Sequence, residues 1–336
     1  MHILDKRTPL KSRHFRMIVS MGSAMLSASA ASAQTHMSST AQAYPNKPVR
    51  IVTTSPGGGS DFTARIIAQG LTAALNQPVI VENRGGGLSA VESVARAQRD
   101  GYTLMLYANT MWITPFLQKV SYDPVKDFAT ITTVGVSPQV LIVHPSVAAT
   151  SIKQLIALAK AKPGALNYSS SGTASPPHLT AEYFKALTGA DLTHIPYKGS
   201  GPAITALLAS QVQIAFAAAG SVMAQVKAER LRALGVTSLE PSILVPGVPT
   251  IASSGLPGFE AISIFGMWAP AATPTAAINR LNKEIAAVLG RTDVKEKFIN
   301  NGVEAAVTSP AQFAVLIKTD TAKWGKVIKD SGIKGE

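Results

Sequence analysis

The chain has 336 residues, of which 46% are hydrophobic and 15% are charged, and its formal net charge is +12. A chain of this length and composition can bury a large core in about two domains, which excludes a disordered protein. It contains no cysteine, so disulfides, zinc–thiolate sites and cysteine nucleophiles are excluded.

The N-terminal segment has the composition of a secretory signal peptide. Basic residues up to Arg16 precede an apolar, small-residue run over 17–30, which ends in Ala31-Ser32-Ala33. A membrane anchor is the alternative, but the run is short and rich in serine and glycine. We therefore predict a signal peptide over 1–33 and cleavage before Gln34. Cleavage removes five of the 31 basic and one of the 19 acidic residues, which leaves a net charge of +8. Because the remaining basic residues are scattered, we predict no nucleic-acid binding.

The first predicted element is a buried strand over 49–53, joined by a glycine-rich turn over 55–59 to a helix that Ser60 or Asp61 would cap. Free backbone N–H groups at such a helix start can hold a carboxylate or phosphate without a cationic side chain. The glycine spacing matches neither a Walker loop nor a dinucleotide-binding motif. A tight connection that needs glycine only for its dihedral angles is the alternative, and the residues alone leave both open.

Strand and helix patterns then alternate along the chain, which predicts the α/β class with parallel strand pairs. Further strands are predicted over 78–82, 102–107, 128–134, 139–143, 166–171, 192–196, 212–216, 231–237 and 265–269. The two strands over 128–134 and 139–143 are separated at Ser137-Pro138, and we place a domain change near Asn109. Two long uncharged stretches, 199–226 and 261–279, are broken by glutamine, glycine or proline, which favours buried α/β elements over transmembrane helices.

Predicted strand-to-helix turns carry small and hydroxyl-bearing residues. They span 55–61, 84–89, 171–175 and 198–202. Open α/β sheets bind ligands at the carboxyl ends of their strands. If the two parts of the chain face each other, these turns converge on a cleft that closes about a hinge when a ligand binds.

Signals for catalysis are weak. The sequence has no G-x-S-x-G or H-E-x-x-H motif, and His144, His178 and His194 fit structural roles. His178 lies in the first turn of a predicted helix and could donate a hydrogen bond to an anion, while Asp61 is either a general base or an acid stabilising a helix start. Three aromatic residues either line the cleft or belong to the core. They are Trp112, Phe265 and Trp268.

An ordered set of short motifs resembles the substrate-binding receptors of tripartite tricarboxylate transporters, the Bug-type periplasmic proteins. The motifs are Tyr44-Pro45-Asn46-Lys47-Pro48-Val49-Arg50, Pro56-Gly57-Gly58-Gly59-Ser60-Asp61, Val81-Glu82-Asn83-Arg84, Asp100-Gly101-Tyr102-Thr103-Leu104, Tyr122-Asp123-Pro124, Pro196-Tyr197-Lys198-Gly199 and Val248-Pro249-Thr250. The resemblance covers the chain from Tyr44 to its end, and the set is more specific than any single motif.

The resemblance implies a two-lobed, Venus-flytrap α/β fold, in which each lobe is a mixed, mostly parallel sheet flanked by helices. Lobe 1 would comprise 44–108 and 236–336, and lobe 2 would comprise 109–235. It implies a monomeric periplasmic receptor, without catalytic activity, cofactor or metal, that delivers a small organic carboxylate to integral-membrane permease subunits. The alternatives are a sensor that presents its ligand to a membrane kinase and an exported hydrolase using Asp61 or His178.

The resemblance also implies which residues bind the ligand. Backbone amides at Gly58, Gly59 and Ser60 would hold one carboxylate, and polar residues would form the opposing wall. The full candidate set is Ser55, Gly58, Gly59, Ser60, Asp61, Asn109, Trp112, Ser171, Thr173, Ser175, His178, Lys198 and Ala217. Ala217-Ala218 stands where the family often carries Asp-Asn, and Trp112 where smaller residues are common, which predicts an aromatic or medium-chain dicarboxylate ligand.

Overall fold

The computed structural model describes residues 44–54, 56–85 and 88–334, and the chain from Lys47 onward forms one compact unit. The predicted signal peptide and Ser55 lie outside the described residues. The strands are β1 (Val49–Thr53), β2 (Val79–Asn83), β3 (Thr103–Ala108), β4 (Phe128–Val143), β5 (Asn167–Ser170), β6 (Thr193–Pro196), β7 (Ile214–Ala218), β8 (Arg232–Val236), β9 (Ile262–Pro270) and β10 (Glu304–Ala305). The helices are α1 (Gly59–Leu75), α2 (Leu88–Ala95), α3 (Thr110–Ile113), α4 (Ile152–Ala161), α5 (Pro176–Thr188), α6 (Ser200–Leu208), α7 (Ala219–Lys227), α8 (Thr275–Gly290), α9 (Thr292–Asn300) and α10 (Pro310–Ser331).

The strands form a mixed sheet with two halves that share β4. In the first half β2, β1 and β3 are parallel, and β9, β4 and β10 continue the sheet with antiparallel pairing. In the second half β7, β5 and β6 are parallel, and β4 pairs antiparallel with both β7 and β8. Helices flank these strands, so the predicted α/β class with a mixed sheet in each part is confirmed.

Strand β4 passes from one half of the sheet to the other without a break. Its residues 128–138 pair with β9, and its residues 139–143 pair with β7 and β8. The prediction of two strands separated at Ser137-Pro138 is therefore wrong. Proline lacks a backbone N–H group, and Pro138 lies where β4 changes partners, so the strand needs one fewer ladder hydrogen bond there.

The predicted lobe bounds stay a prediction. Residues 128–138, which the prediction places in lobe 2, hydrogen-bond to β9 in the sheet half that contains β1 to β3. In the prediction, the chain passes between the lobes at Asn109, which directly follows β3, and at Val236, the last residue of β8. Both positions are at the ends of strands.

Helix α1 begins one residue after Gly58, which has no side chain to cap it. Ser60 and Asp61 therefore lie inside the first turn, and the prediction that either residue caps the helix is wrong. Further along α1, Gly70 allows close packing on α8, since a Cβ atom there would lie 2.4 Å from a methyl group of Val288. This contact fixes the glycine-rich turn relative to the buried face of the helix.

The two uncharged stretches form ordinary elements of the sheet and its helices. Residues 199–226 contain α6, β7 and α7, and residues 261–279 contain β9 and the start of α8. Across the described part of the chain, every helix is too short or too polar to cross a membrane. The prediction of buried α/β elements is confirmed.

Candidate functional site

The glycine-rich turn between β1 and α1 presents backbone N–H groups at a helix start. Gly57 adopts a left-handed conformation, with φ of +84°, and the backbone N–H of Gly57 donates to Asp61 Oδ2 at 2.9 Å. The N–H groups of Gly59 and Ser60, in the first turn of α1, have no acceptor within the helix. The turn can therefore offer N–H donors to an anion, as the sequence predicts.

Asp61 holds this turn together through its carboxylate. The side chain is buried, and its oxygens accept from Asn83 at 2.7 Å and Arg65 at 2.9 Å as well as from Gly57. Burial alone would raise the pKa of Asp61, but the hydrogen bonds from Asn83, Gly57 and Arg65 lower it below its usual value. A lowered pKa and oxygens that already accept hydrogen bonds make Asp61 a weak general base, and its negative charge disfavours contact with an anionic ligand, so we assign Asp61 a positioning role.

Strand β9 links the glycine-rich turn to a cavity in the second half of the sheet. A Cβ atom on Gly59 would lie 2.9 Å from Cζ of Phe265, so the ring of Phe265 packs directly against the turn. Ser263, two residues earlier on β9, lines the cavity. Two residues of extended strand span about 6.8 Å. The turn and the cavity therefore lie within a few ångströms of each other along one strand.

The cavity has a volume of about 260 Å³ and lies at the ends of β5 and β7. Its lining comprises residues 169–171, 176–177 and 215–218 together with Gln139, Ser200, Ala203, Ile204 and Ser263. None of these lining residues is Asp, Glu, Lys, Arg or His. Ser200 is the first residue of α6 and Ala218 directly precedes α7, so free N–H groups from both helix starts lie at the cavity wall. Helix α5 contributes fewer donors because Pro176 and Pro177 lack an N–H group.

Of the predicted site residues that the structure describes, which exclude Ser55, two line this cavity: Ser171 and Ala217. Asn109 lines a smaller chamber beside it. Gly58, Gly59 and Ser60 lie in the glycine-rich turn, outside the lining. The remaining positions are outside the lining as well: Asp61, Trp112, Thr173, Ser175, His178 and Lys198. Ser175 donates to the carbonyl oxygen of Gly172 at 2.7 Å, and Lys198 is exposed.

Trp112 belongs to the hydrophobic core and is unavailable to a ligand. Its side chain is fully buried, and its Nε1–H donates to Asp320 Oδ2 at 2.9 Å. The indole ring also contacts Trp268 and Phe313 edge-on, with centroid distances of 6.0 and 6.3 Å. The interpretation of Trp112 as a cleft residue is therefore corrected to a core residue, and of the two alternatives for Trp268 the structure supports the core.

His178 positions the turn that follows β5 through one of its two ring nitrogens. Its Nδ1 accepts the backbone N–H of Ala174 at 2.9 Å, where Ala174 has φ of +59°. The ring stacks on His194 with a centroid distance of 3.9 Å, and Nε2 of His194 lies 2.7 Å from Oγ of Ser170. His178 therefore has a positioning role at this turn, and its role as an anion donor stays a prediction.

Burial lowers the pKa of both stacked imidazoles, and the pKa of His194 falls to about 4. The neighbouring His178 contributes to this lowering of the pKa of His194. For both rings, the negative charge of Glu182 raises the pKa and the positive charge of Lys185 lowers it. In the unfolded chain a histidine has a pKa of about 6.5. Between these values the unfolded chain binds more protons, so we expect the free energy of unfolding to fall as the pH drops from 6.5 towards 4. Urea unfolding at several pH values will measure this slope.

A His194→Phe variant should show a smaller slope between pH 6.5 and 5, because it keeps a stacked ring and loses one titrating group. Ser170→Ala is the matched control, since it removes the hydrogen bond to His194 and retains both imidazoles. Equal slopes in the wild type and His194→Phe would contradict the assignment.

Sequence reasoning missed Gln139, Ser200 and Ser263 as cavity residues. Gln139 is buried and begins the apolar run of β4 residues that pairs with β7 and β8. A polar residue at the edge of a buried strand is the one signal that pointed to it. Ser263 could not be found this way, because β9 begins at Ile262 and not near Phe265 as predicted.

The two sheet halves share one strand, and an uncharged cavity lies at several helix starts. This arrangement defines an α/β ligand-binding protein. Residues 63–333 match the family described as the tripartite tricarboxylate transporter family receptor, and the chain belongs to this family. Protein BugT of Bordetella pertussis is 34% identical over 300 residues, which cover 88% of this chain and 92% of that protein.

Solved structures show the same fold. The structure described as R. palustris Rpa4515 with adipate is 33% identical, with a TM-score of 0.73, and covers 87% of this chain and 100% of that chain. The periplasmic binding protein BugD is 30% identical, with a TM-score of 0.70, and covers 87% of this chain and 100% of that chain. The predicted family and the predicted periplasmic-binding-protein fold are confirmed, and the protein is a solute receptor of this family.

Proposed function

We propose that the protein is a periplasmic receptor that binds a small organic carboxylate in the 260 Å³ cavity and delivers it to the permease subunits of a tripartite tricarboxylate transporter. The observation that carries this proposal is an uncharged cavity surrounded by helix starts and serine hydroxyls. Such a site holds a carboxylate through N–H and O–H donors, with the positive ends of helix dipoles supplying the favourable potential.

The carboxylate binds at the polar part of the cavity wall. Ser171 follows β5 and Ser200 opens α6, so two hydroxyls and the first N–H groups of α6 face one region. Neither hydroxyl has a hydrogen-bond partner among the described residues, which leaves both available to a ligand. The R. palustris relative solved with adipate supports a carboxylate ligand.

The rest of the cavity is apolar and holds the body of the ligand. Ile204, Phe216, Ala217 and the prolines of α5 supply this surface. An aromatic or medium-chain aliphatic body fits such a lining, and it gains about 25 cal/mol for each Å² of apolar surface that it buries. Small, densely polar acids leave this surface uncovered.

Closure of the two lobes would bring the glycine-rich turn into contact with the ligand. Gly58, Gly59 and Ser60 lie outside the cavity lining, and the packing of Phe265 on Gly59 places them beside it. A hinge motion about the shared strand β4 would bring their N–H groups to a second oxygen of the ligand. The hydrolase alternative loses support because Asp61 and His178 are both engaged in holding turns.

A thermal-shift screen of residues 34–336 tests the proposal. The ligands are aromatic and aliphatic mono- and dicarboxylates, each paired with its neutral amide as a matched control. A ligand at about 100 times its dissociation constant stabilises the native state by roughly 2.7 kcal/mol, which shifts the melting temperature measurably. We expect shifts with carboxylates and none with the amides. Equal shifts with both members of a pair, or no shift with any carboxylate, would refute carboxylate recognition.

A further inference from the structure

A second, smaller cavity adjoins the main one. This chamber has a volume of about 10 Å³ and shares Gln139, Pro176 and Ser263 with the main cavity. Asn109 and Trp324 lie on its far side. The volume corresponds to one sphere the size of a water molecule. The chamber therefore adjoins the main cavity at these three shared residues and can hold one small group.

Two buried polar atoms without partners belong to side chains that line this chamber. Gln139 is 5% exposed, and its Nε2 donates to Oγ1 of Thr180 at 2.8 Å, but its Oε1 has no hydrogen-bond partner. Trp324 is 3% exposed, and its Nε1–H also has no partner. Buried polar groups in native structures are nearly always hydrogen-bonded, so a pair of unpartnered groups at one chamber points to a missing third group.

The chemistry of the two atoms restricts that third group. Oε1 of Gln139 accepts hydrogen bonds, and Nε1–H of Trp324 only donates. Asn109, the other amide of the chamber, is already engaged, since its Nδ2 donates to the carbonyl oxygen of Ile262 at 3.1 Å. A group that satisfies both must donate to Gln139 and accept from Trp324. Water and a hydroxyl group do this at the size of the chamber.

We propose that this chamber is the distal end of the ligand site and binds one hydroxyl-sized group, which is the hydroxyl of the ligand or, in its absence, a water molecule. Gln139 lines both cavities, so it is the specificity-determining residue that reads the end of the ligand opposite the carboxylate. The inference rests on the proposed function for the location of the carboxylate. It predicts that the preferred ligand is a carboxylate with an apolar body and a terminal hydroxyl.

Calorimetric titration of matched ligand pairs tests this specificity. The pairs are benzoate with 4-hydroxybenzoate and hexanoate with 6-hydroxyhexanoate. We expect the wild type to bind the hydroxylated member of at least one pair about tenfold more tightly, because an unmatched buried polar group disfavours the other member. In the Gln139→Met and Trp324→Phe variants, the ratio of the dissociation constants of the two members of a pair should fall to below about threefold.

Trp268→Phe is the matched control, because Nε1 of Trp268 is also buried without a partner but Trp268 lines neither cavity. This variant should keep the wild-type ratio. Equal affinities within both pairs in the wild type, or a preference for a terminal ether that only accepts hydrogen bonds, would overturn the proposal while leaving carboxylate binding intact. Failure of every carboxylate to bind would overturn the proposed function and this specificity together.

High-resolution crystallography provides a readout that needs no affinity. The unliganded protein should show one ordered water within hydrogen-bond distance of Gln139 Oε1 and Trp324 Nε1. In the complex with the preferred hydroxylated ligand, the ligand hydroxyl should replace this water. An empty chamber in the unliganded protein, or a water that stays when that ligand binds, would refute the site.

Discussion

Replacing Asp320 by alanine should lower the free energy of unfolding by about 3–5 kcal/mol, the usual cost of breaking a buried ion pair from one side. Asp320 is 5% exposed, its Oδ2 accepts the Nε1–H of Trp112 at 2.9 Å, and its Oδ1 lies 2.8 Å from Nζ of Lys323. The alanine variant leaves the indole N–H of a fully buried tryptophan unpaired and removes the nearer of the two carboxylates that contact Lys323, a largely covered cation. Urea unfolding monitored by tryptophan fluorescence will measure the change.

Two variants separate the buried network from a general effect of lost charge. Asp320→Asn keeps an acceptor for Trp112 and should cost less than the alanine variant. Asp330→Ala removes a surface ion pair with Lys326 and should change the free energy of unfolding by at most about 1 kcal/mol. A loss below 1 kcal/mol for Asp320→Ala would show that the network contributes little to stability.

The local patterns of the sequence predicted the order of most elements correctly. The strand, turn and helix over 49–75 are present because each depends on neighbouring residues: β-branched residues form β1, glycines form the turn, and periodic apolar residues face the core from α1. The helix start alone was misplaced. Gly58 offers no side-chain cap, and Asp61, one of the two residues expected to cap the helix, instead accepts the N–H of Gly57 from within the first turn.

Features that depend on distant parts of the chain could not be predicted in this way. Trp112 hydrogen-bonds to Asp320, which is 208 residues away in sequence, so its burial follows from tertiary packing of α3 against α10. Strand β4 continues through Pro138 because its partners change at that residue. Gln139 lines the cavity for the same reason, since the crossing of β4 between the sheet halves places it beside α5.

The absence of charge from the cavity lining is the feature of the site with the strongest functional consequence. Ala217 lies at the cavity wall on β7, 6% exposed, two residues before the start of α7. An anionic side chain there would reduce the positive potential at the helix start and would repel the bound carboxylate. In this chain, where alanine stands in place of the acidic residue that the family often carries, we therefore expect an added negative charge to disfavour an acidic ligand.

Ala217→Asp should lower carboxylate affinity by up to roughly 1,000-fold at pH 8, where the new side chain is ionised. Two charges repel by about 4 kcal/mol at a separation of about 4 Å and an effective dielectric constant of 20, which sets this upper limit, and each 1.4 kcal/mol is tenfold in affinity. The matched control is Ala217→Asn, which has nearly the same shape without charge and should lose much less affinity. Calorimetric titration of both variants will measure the difference.

Burial will raise the pKa of the introduced carboxyl, so the affinity of Ala217→Asp should recover as the pH falls and that group is neutralised, whereas the affinity of Ala217→Asn should not. Equal losses in the two variants at every pH would mean that side-chain volume, and not charge, decides which ligands the cavity accepts.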